Sequence, residues 1–271
     1  MKTSTRALTQ QTQVFVRSTA GSQSLERGLL ILRAFRQGTS LLTNADLAER
    51  VQLPRPTVSR LTRSLVDAGF LHYDIQVRGY RLAPVCLSLA LAYRTSEPML
   101  ERALPDMREL AEGRRVNVGL AVADQLEMVY LDSVRLSRLG IFRRLSPGSR
   151  IPIAQTSLGC AYLAGLPAEQ RKELLEQLKQ EHGTSWPRLK SHVEKSLRGI
   201  DDVGYCSAQW AAGMAAVATP LRHGGQIYAL NVSFPIAHEM TSEDIHINGG
   251  LLLRLKKQLL VKGLGETIEF G

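Results

Sequence analysis

The chain has 271 residues, 44% of them hydrophobic and 22% charged. That is the make-up of an ordinary globular protein and excludes a disordered or membrane-spanning one, while the length leaves room for two domains. The net charge of +9 is unevenly spread: residues 1–96 hold thirteen Lys or Arg against five Asp or Glu, residues 97–271 twenty-one against twenty. A basic module suited to a polyanion is thus joined to a nearly neutral one. No apolar run reaches the roughly 18 residues of a transmembrane helix, and the polar amino terminus has no apolar signal core. Three cysteines without a CxxC pair, and six histidines with none at i, i+4, predict a reduced cytoplasmic protein with no disulfide, metal or cofactor.

Residues 1–22 read as a flexible arm. "SQSLERGLLILRAF" then gives a helix capped by Ser24, with Leu25, Leu29, Leu32 and Phe35 as its core stripe and Gly38 as its stop. In "LLTNADLAERV", Thr43 with Asp46 three residues on predicts a capping box, and Leu47, Ala48 and Val51 an apolar face. Only "QLP" separates this from "RPTVSRLTRSLVDAG", whose Val58, Leu61 and Leu65 form the next buried stripe. Pro54 and Pro56 fall in its first turn, where a missing N–H costs nothing. Two helices across so short a turn, then "FLHYD" and "GYRLA" around the polar "DIQVR", predict a winged helix-turn-helix over residues 23–83.

On the third helix, Arg60 and Arg63 lie nearly opposite the apolar stripe and Thr57 and Ser59 flank it. A solvated basic face is the plain explanation of such a helix alone. Within this module the better one is double-stranded DNA, because a lipid surface would need the apolar stripes that the core uses. Arg55, Arg60 and Arg63 suit base edges, Thr57 and Ser59 suit phosphates, and Arg78 and Arg81 on the wing suit the backbone beside the groove.

"PVCLSLALAYRT" reads as a linker helix (residues 84–96), apolar on most sides and therefore packed on a partner. A helix from Pro98 opens the remaining domain, residues 97–265. Period-two patterns follow in "NVGLAVADQLEMVYLDSV", "RLGIFR" and "SRIPIA", then helices in "TSLGCAYLAGL", "PAEQRKELLEQLKQE" and "LKSHVEKSLRGIDDVG". A hairpin, "MAAVATPL" and "QIYALNVSF" around Gly-Gly, and a helix over roughly residues 241–262 complete an α+β layout. The loop "AQTSLG" enters a helix whose free N–H groups suit a carboxylate, with Thr156 and Ser157 adding hydroxyls; ordinary capping explains the same residues.

"SLERGLLILRAF", "LTNADLAERVQLPRPTVSRLTRSLVDAGFL" and "GYRLAPVCLSLA" resemble the amino-terminal domain of the IclR family of bacterial transcriptional regulators. "GSRIPIAQTSLGCAYLAGLP" and "GMAAVATPLRHGGQIYALNVSFP" resemble its effector-binding domain, so the likeness spans about residues 23–265. It implies a GAF-like or PAS-like effector domain, a homodimer or homotetramer paired partly through the linker helix, and a cytoplasmic protein that joins the nucleoid when DNA-bound. It also implies an effector pocket lined by Thr156, Ser157, Leu158 and Gly159 of the loop, by Ala216, Asn231 and Ser233 of strands, by Cys206 of a further loop, and walled by Ile141 and Leu145. Two departures stand out: "GYCSAQWAAG" lacks the acidic run many members carry there, and Gly159–Cys160 replaces Gly-Lys. Fewer acids and the added Trp210 favour an aromatic or hydroxylated carboxylic acid as effector, and the helix motif resembles the branch that controls aromatic-acid catabolism. The rival readings are an architectural DNA-binder without ligand, for which the second domain is excessive, and an enzyme using Cys160 as nucleophile, for which no oriented base is evident.

Overall fold

A computed structural model of the protein describes residues 21–135, 145–211, 213–236 and 239–265, in two compact units that part between Glu97 and Pro98. All but the last two residues of the expected arm, the strand expected in "RLGIFR", Ile141, and the Trp210 side chain lie outside the described residues.

The smaller unit opens with α1 (Gln23–Arg33), followed by β1 (Leu42–Thr43), α2 (Asn44–Val51) and α3 (Arg55–Asp67). The hairpin β2 (Leu71–Asp74) and β3 (Gly79–Leu82) comes next, and α4 (Val85–Thr95) ends the unit. Three helices and a small sheet give the winged helix-turn-helix. The capping box is present in full: Thr43 Oγ1 accepts from the Asp46 N–H at 3.2 Å, and Asp46 Oδ2 accepts from the Thr43 N–H at 2.8 Å. Ile31, Leu42, Leu47, Val58 and Leu71 form the core, with Leu61, Leu65 and Tyr80 packed at its margin.

Three details differ from the sequence expectation. The cap of α1 is Ser22, whose hydroxyl accepts from the Leu25 N–H, and the helix stops at Arg33, leaving Gly38 in the turn beyond. Gly28 and Ile31 carry the buried face, while Leu25 and Leu29 are 62% and 50% exposed. The helix bears two neighbouring apolar stripes, and periodicity alone does not say which one faces inward. Finally, β1 makes the wing sheet three-stranded, order β1-β3-β2, by pairing Leu42 with Tyr80 and Thr43 with Gly79.

The larger unit contains α5 (Pro98–Arg114), β4 (Asn117–Asp124), β5 (Glu127–Val134), β6 (Arg150–Pro152), α6 (Ser157–Gly165), α7 (Ala168–His182) and α8 (Trp186–Val203). After these come β7 (Cys206–Ala211), β8 (Met214–His223), β9 (Gln226–Pro235) and α9 (Ser242–Val261). The six strands form one antiparallel sheet, order β6-β5-β4-β9-β8-β7. Alternation along the strands gives it two cores. Val118, Leu120, Leu230 and Val232 pack toward α5 and α9; Ala121, Met128, Tyr130, Ala218 and Ala229 pack toward α6, α7 and α8. The segment expected to be a loop around Cys206 is the edge strand β7. Its small residues and the register shift between Ala208 and Ala211 hide the alternation that marks a strand.

Candidate functional site

Two separate groups of candidate residues take shape, one in each unit. The first is built on α3. Pro54 stands at its cap with Pro56 in the first turn, and the helix runs to Asp67, where the Phe70 N–H bonds the Leu65 carbonyl at 2.8 Å. Val58 and Thr62 are buried, which turns Arg55, Ser59, Arg60 and Arg63 out to solvent and leaves Thr57 half-buried. Arg55, Ser59 and Arg63 follow one another at i, i+4 along the exposed side, with Arg60 beside them. Among the described residues none of these three arginines has an ion-pair partner. Arg78, at the hairpin turn with φ +49°, is equally exposed and unpaired among them. Arg81 is different: its guanidinium lies 3.5 Å from Asp74 and donates to the Ser40 carbonyl at 3.3 Å. The surface is thus a helix face and a wing turn carrying uncompensated guanidinium groups, which can donate in pairs to base edges or phosphates.

The second group lies on the side of the large sheet that α6 covers. Cross-strand pairing sets Cys206, Ala218, Asn231, Gly119 and Ser133 in one row from β7 to β5, and Ala208, Ala216, Ser233 and Asn117 in the row beside it. Cys206, Ala216, Asn231 and Ser233 therefore share a face, with strands about 4.8 Å apart. At one end the Cys206 thiol donates to the Ser157 carbonyl at 3.3 Å, joining this row to the first turn of α6. Leu145 and Leu158 are buried in the same core. Gly159 is required there, because a Cβ would collide with the backbone of Ile153, including its carbonyl oxygen.

Thr156 caps α6: its Oγ1 accepts from the Gly159 N–H at 3.2 Å and donates to the Pro152 carbonyl at 2.8 Å. A hydroxyl has one proton, and here that proton is held by the Pro152 carbonyl, so Thr156 acts as the cap of α6. Periodicity and motif both overlooked the polar groups that flank this row. Tyr130 is buried, hydrogen-bonded to Asn231, and pushed up to about 12 chiefly by desolvation. A Cβ on Gly119 would stand 2.5 Å from Asn231 Oδ1, so the missing side chain makes room for that pair. Asn117 Nδ2 donates to Ser233 Oγ at 3.5 Å. Arg135, half-buried beside Tyr130, donates from Nε to Ser133 Oγ at 3.2 Å, and desolvation lowers its pKa. Two amides, a phenol that stays protonated at neutral pH and a desolvated guanidinium can together stabilise a buried anion.

Cys160 is fully buried, and desolvation pushes its thiol up to about 11. A nucleophilic cysteine needs the opposite shift. Among the described residues no three His, Cys, Asp or Glu side chains gather as a metal site would, and no helix is long and apolar enough to cross a membrane.

Two family models match the chain: the IclR helix-turn-helix domain over residues 24–74, and the bacterial transcriptional regulator IclR C-terminal domain over residues 91–253. The HTH-type transcriptional regulator TsaQ1/TsaQ2 of Comamonas testosteroni is 31% identical over 191 residues, 70% of this chain and 68% of that protein. Among solved structures, an IclR family transcriptional regulator from Brucella abortus is similar over 93% of this chain and 96% of its own, with 30% identity and a TM-score of 0.81. An IclR homologue from Microbacterium hydrocarbonoxydans, complexed with 4-hydroxybenzoate, shares the fold over 88% of this chain and 99% of its own, at 23% identity and a TM-score of 0.64.

Proposed function

The chain belongs to the IclR family of bacterial transcriptional regulators, and from that premise we propose that a small carboxylic acid, bound on the α6-covered face of the large sheet, controls how tightly α3 holds an operator. The protein is a DNA-binding regulator and not an enzyme. In this reading Arg55, Arg60 and Arg63 meet base edges, Thr57 and Ser59 meet phosphates, and Arg78 and Arg81 meet the backbone along the wing.

The observation that carries the effector half is the polar cluster of buried Asn117, Tyr130 and Asn231 with half-buried Arg135, set beside the apolar core that α6 covers. Buried polar groups are retained where they bind something or satisfy one another. Here they combine donors for a carboxylate with apolar walls that suit an aromatic ring. That 4-hydroxybenzoate occupies a homologue of the same fold favours the same ligand chemistry. In this division of labour residues 23–83 serve DNA, 84–96 the linker and 97–265 effector and assembly; the parting of the two compact units between Glu97 and Pro98 supports the last of these bounds.

The exposed apolar surface of α4 supports a homodimer, or a tetramer of such pairs. No residue of that helix is buried, and Leu87, Leu89, Leu91 and Tyr93 are all exposed, as are Leu25 and Leu29 of α1. Monomers rarely leave so much apolar surface in water, and a second copy of this chain would cover it.

The test is a titration of full-length protein against its best-bound duplex, selected from a random-sequence pool, with and without a panel of aromatic and aliphatic carboxylates. One acid should shift operator affinity by roughly 5- to 150-fold, the usual span of allosteric coupling. Arg135→Gln should abolish that shift while leaving binding without the acid unchanged. Weak binding to every duplex with no response to any acid would favour the architectural reading instead.

A further inference from the structure

The helix α3 carries one fully buried polar side chain, Thr62, and its hydroxyl is not used on the helix alone. Thr62 Oγ1 donates its single proton to the Ser59 carbonyl at 3.1 Å. Its lone pairs then receive the Tyr80 hydroxyl, also 3.1 Å away. Tyr80 sits on β3, the central strand of the wing sheet. On one side it pairs with Leu42 of β1, and on the other with Tyr73 of β2, whose ring centroid is 5.1 Å from its own. A chain of two hydroxyls therefore runs from the middle of the wing to the turn of α3 that bears Ser59 and Arg60. Arg78, at the tip of the same hairpin, is two residues from Tyr80.

We infer that Tyr80, acting through Thr62, is a positioning residue for sequence recognition: it fixes the angle between the wing and α3, so that Arg78 and the arginines of α3 engage one duplex together. This rests on the reading of α3 as the element that enters the groove. Sequence-independent attraction to phosphates depends on charge and tolerates a change of angle. Base contacts must meet donors and acceptors at hydrogen-bond distance and do not tolerate it. Apolar packing alone would hold the wing near α3 without choosing its tilt, because hydrophobic contact is non-directional. The hydroxyl pair supplies the direction.

The experiment titrates full-length wild type, Tyr80→Phe, Thr62→Val, the double variant and Thr62→Ser against two labelled duplexes. One duplex is the best-bound sequence from a random pool; the other is a scramble of the same length. We expect Tyr80→Phe to weaken binding to the selected duplex by about tenfold and to the scramble by less than about twofold, because base contacts need the angle and phosphate contacts do not. Thr62→Val should match it, and the double variant should be no worse than the poorer single. Thr62→Ser, which keeps the hydroxyl, should retain wild-type preference. Equal losses on both duplexes, no loss on either, or losses that multiply in the double variant would overturn the inference. If Thr62→Val does not fold, Tyr80→Phe decides, since it removes one oxygen from a half-buried ring. If wild type itself selects no sequence, the reading of α3 fails first and the role of Tyr80 goes with it.

Discussion

The helices α3 and α6 anchor the two candidate sites and solve opposite problems. In α3 only Val58 and Thr62 are buried; in α6 every residue from Ser157 to Gly165 is. One helix docks on its own core through Val58 and Thr62, with Leu61 and Leu65 at the margin, and turns its charged side outward. The other has no outside, and its first turn borders a polar row inside the protein. The same secondary structure thus underlies an open, charged surface and a closed interior. Substitutions should separate accordingly: changes on the exposed side of α3 should alter binding without stability, and changes at α6 should alter stability first.

The largest effect is expected at Gly159. Gly159→Ala drives a Cβ into the Ile153 backbone, which cannot yield as a side-chain end could. We expect a loss of about 3 kcal/mol, as for overpacking, read from urea unfolding. A loss below about 0.5 kcal/mol would mean that α6 is not seated as described. Arg60→Ala should come next, costing about 1–3 kcal/mol of discrimination between selected and scrambled duplexes with little change in unfolding. If both affinity and preference survived, the orientation of α3 would be wrong. Arg78→Ala should weaken all duplexes alike and reduce the slope of log affinity against log salt by about one.

A pH series probes the interior row separately. Desolvation raises Tyr130 to about 12 from its ordinary 10, so the folded chain keeps a proton that the unfolded chain loses. Its contribution to stability is complete below pH 10 and declines as pH rises toward about 12. Tyr130→Phe should remove that part of the decline; an unchanged profile would mean that the phenol is not buried as a neutral donor.

The same contrast governs what the residues disclose on their own. Local rules carry the smaller unit: the Thr43 and Asp46 capping box, Pro54 and Pro56 at the start of α3, and the β2–β3 hairpin all come from spacings within a few residues. Where local rules offer two equal answers they fail, as with the two stripes of α1 and its cap at Ser22. The Thr62–Tyr80 contact spans 18 residues and escapes a reading by periodicity, since threonine in a helix counts there as merely polar. The interior row is harder still. Gly119 and Asn231 are neighbours only because β4 pairs with β9, and β7 joins through β8, an order that no spacing encodes. The family motif brought Cys206, Ala216, Asn231 and Ser233 into view as positions. Their polar company, Asn117, Tyr130 and Arg135, required the sheet.

The coupling of the two sites is the central claim, and linkage tests it directly. The measurement is the affinity of the full-length protein for the most effective acid of the panel, made once alone and once saturated with its selected duplex. The ratio of the two affinities should equal the factor by which the acid shifts operator binding. An acid that binds equally well with and without DNA would contradict the coupling and leave α3 and the interior row as unconnected features of one chain.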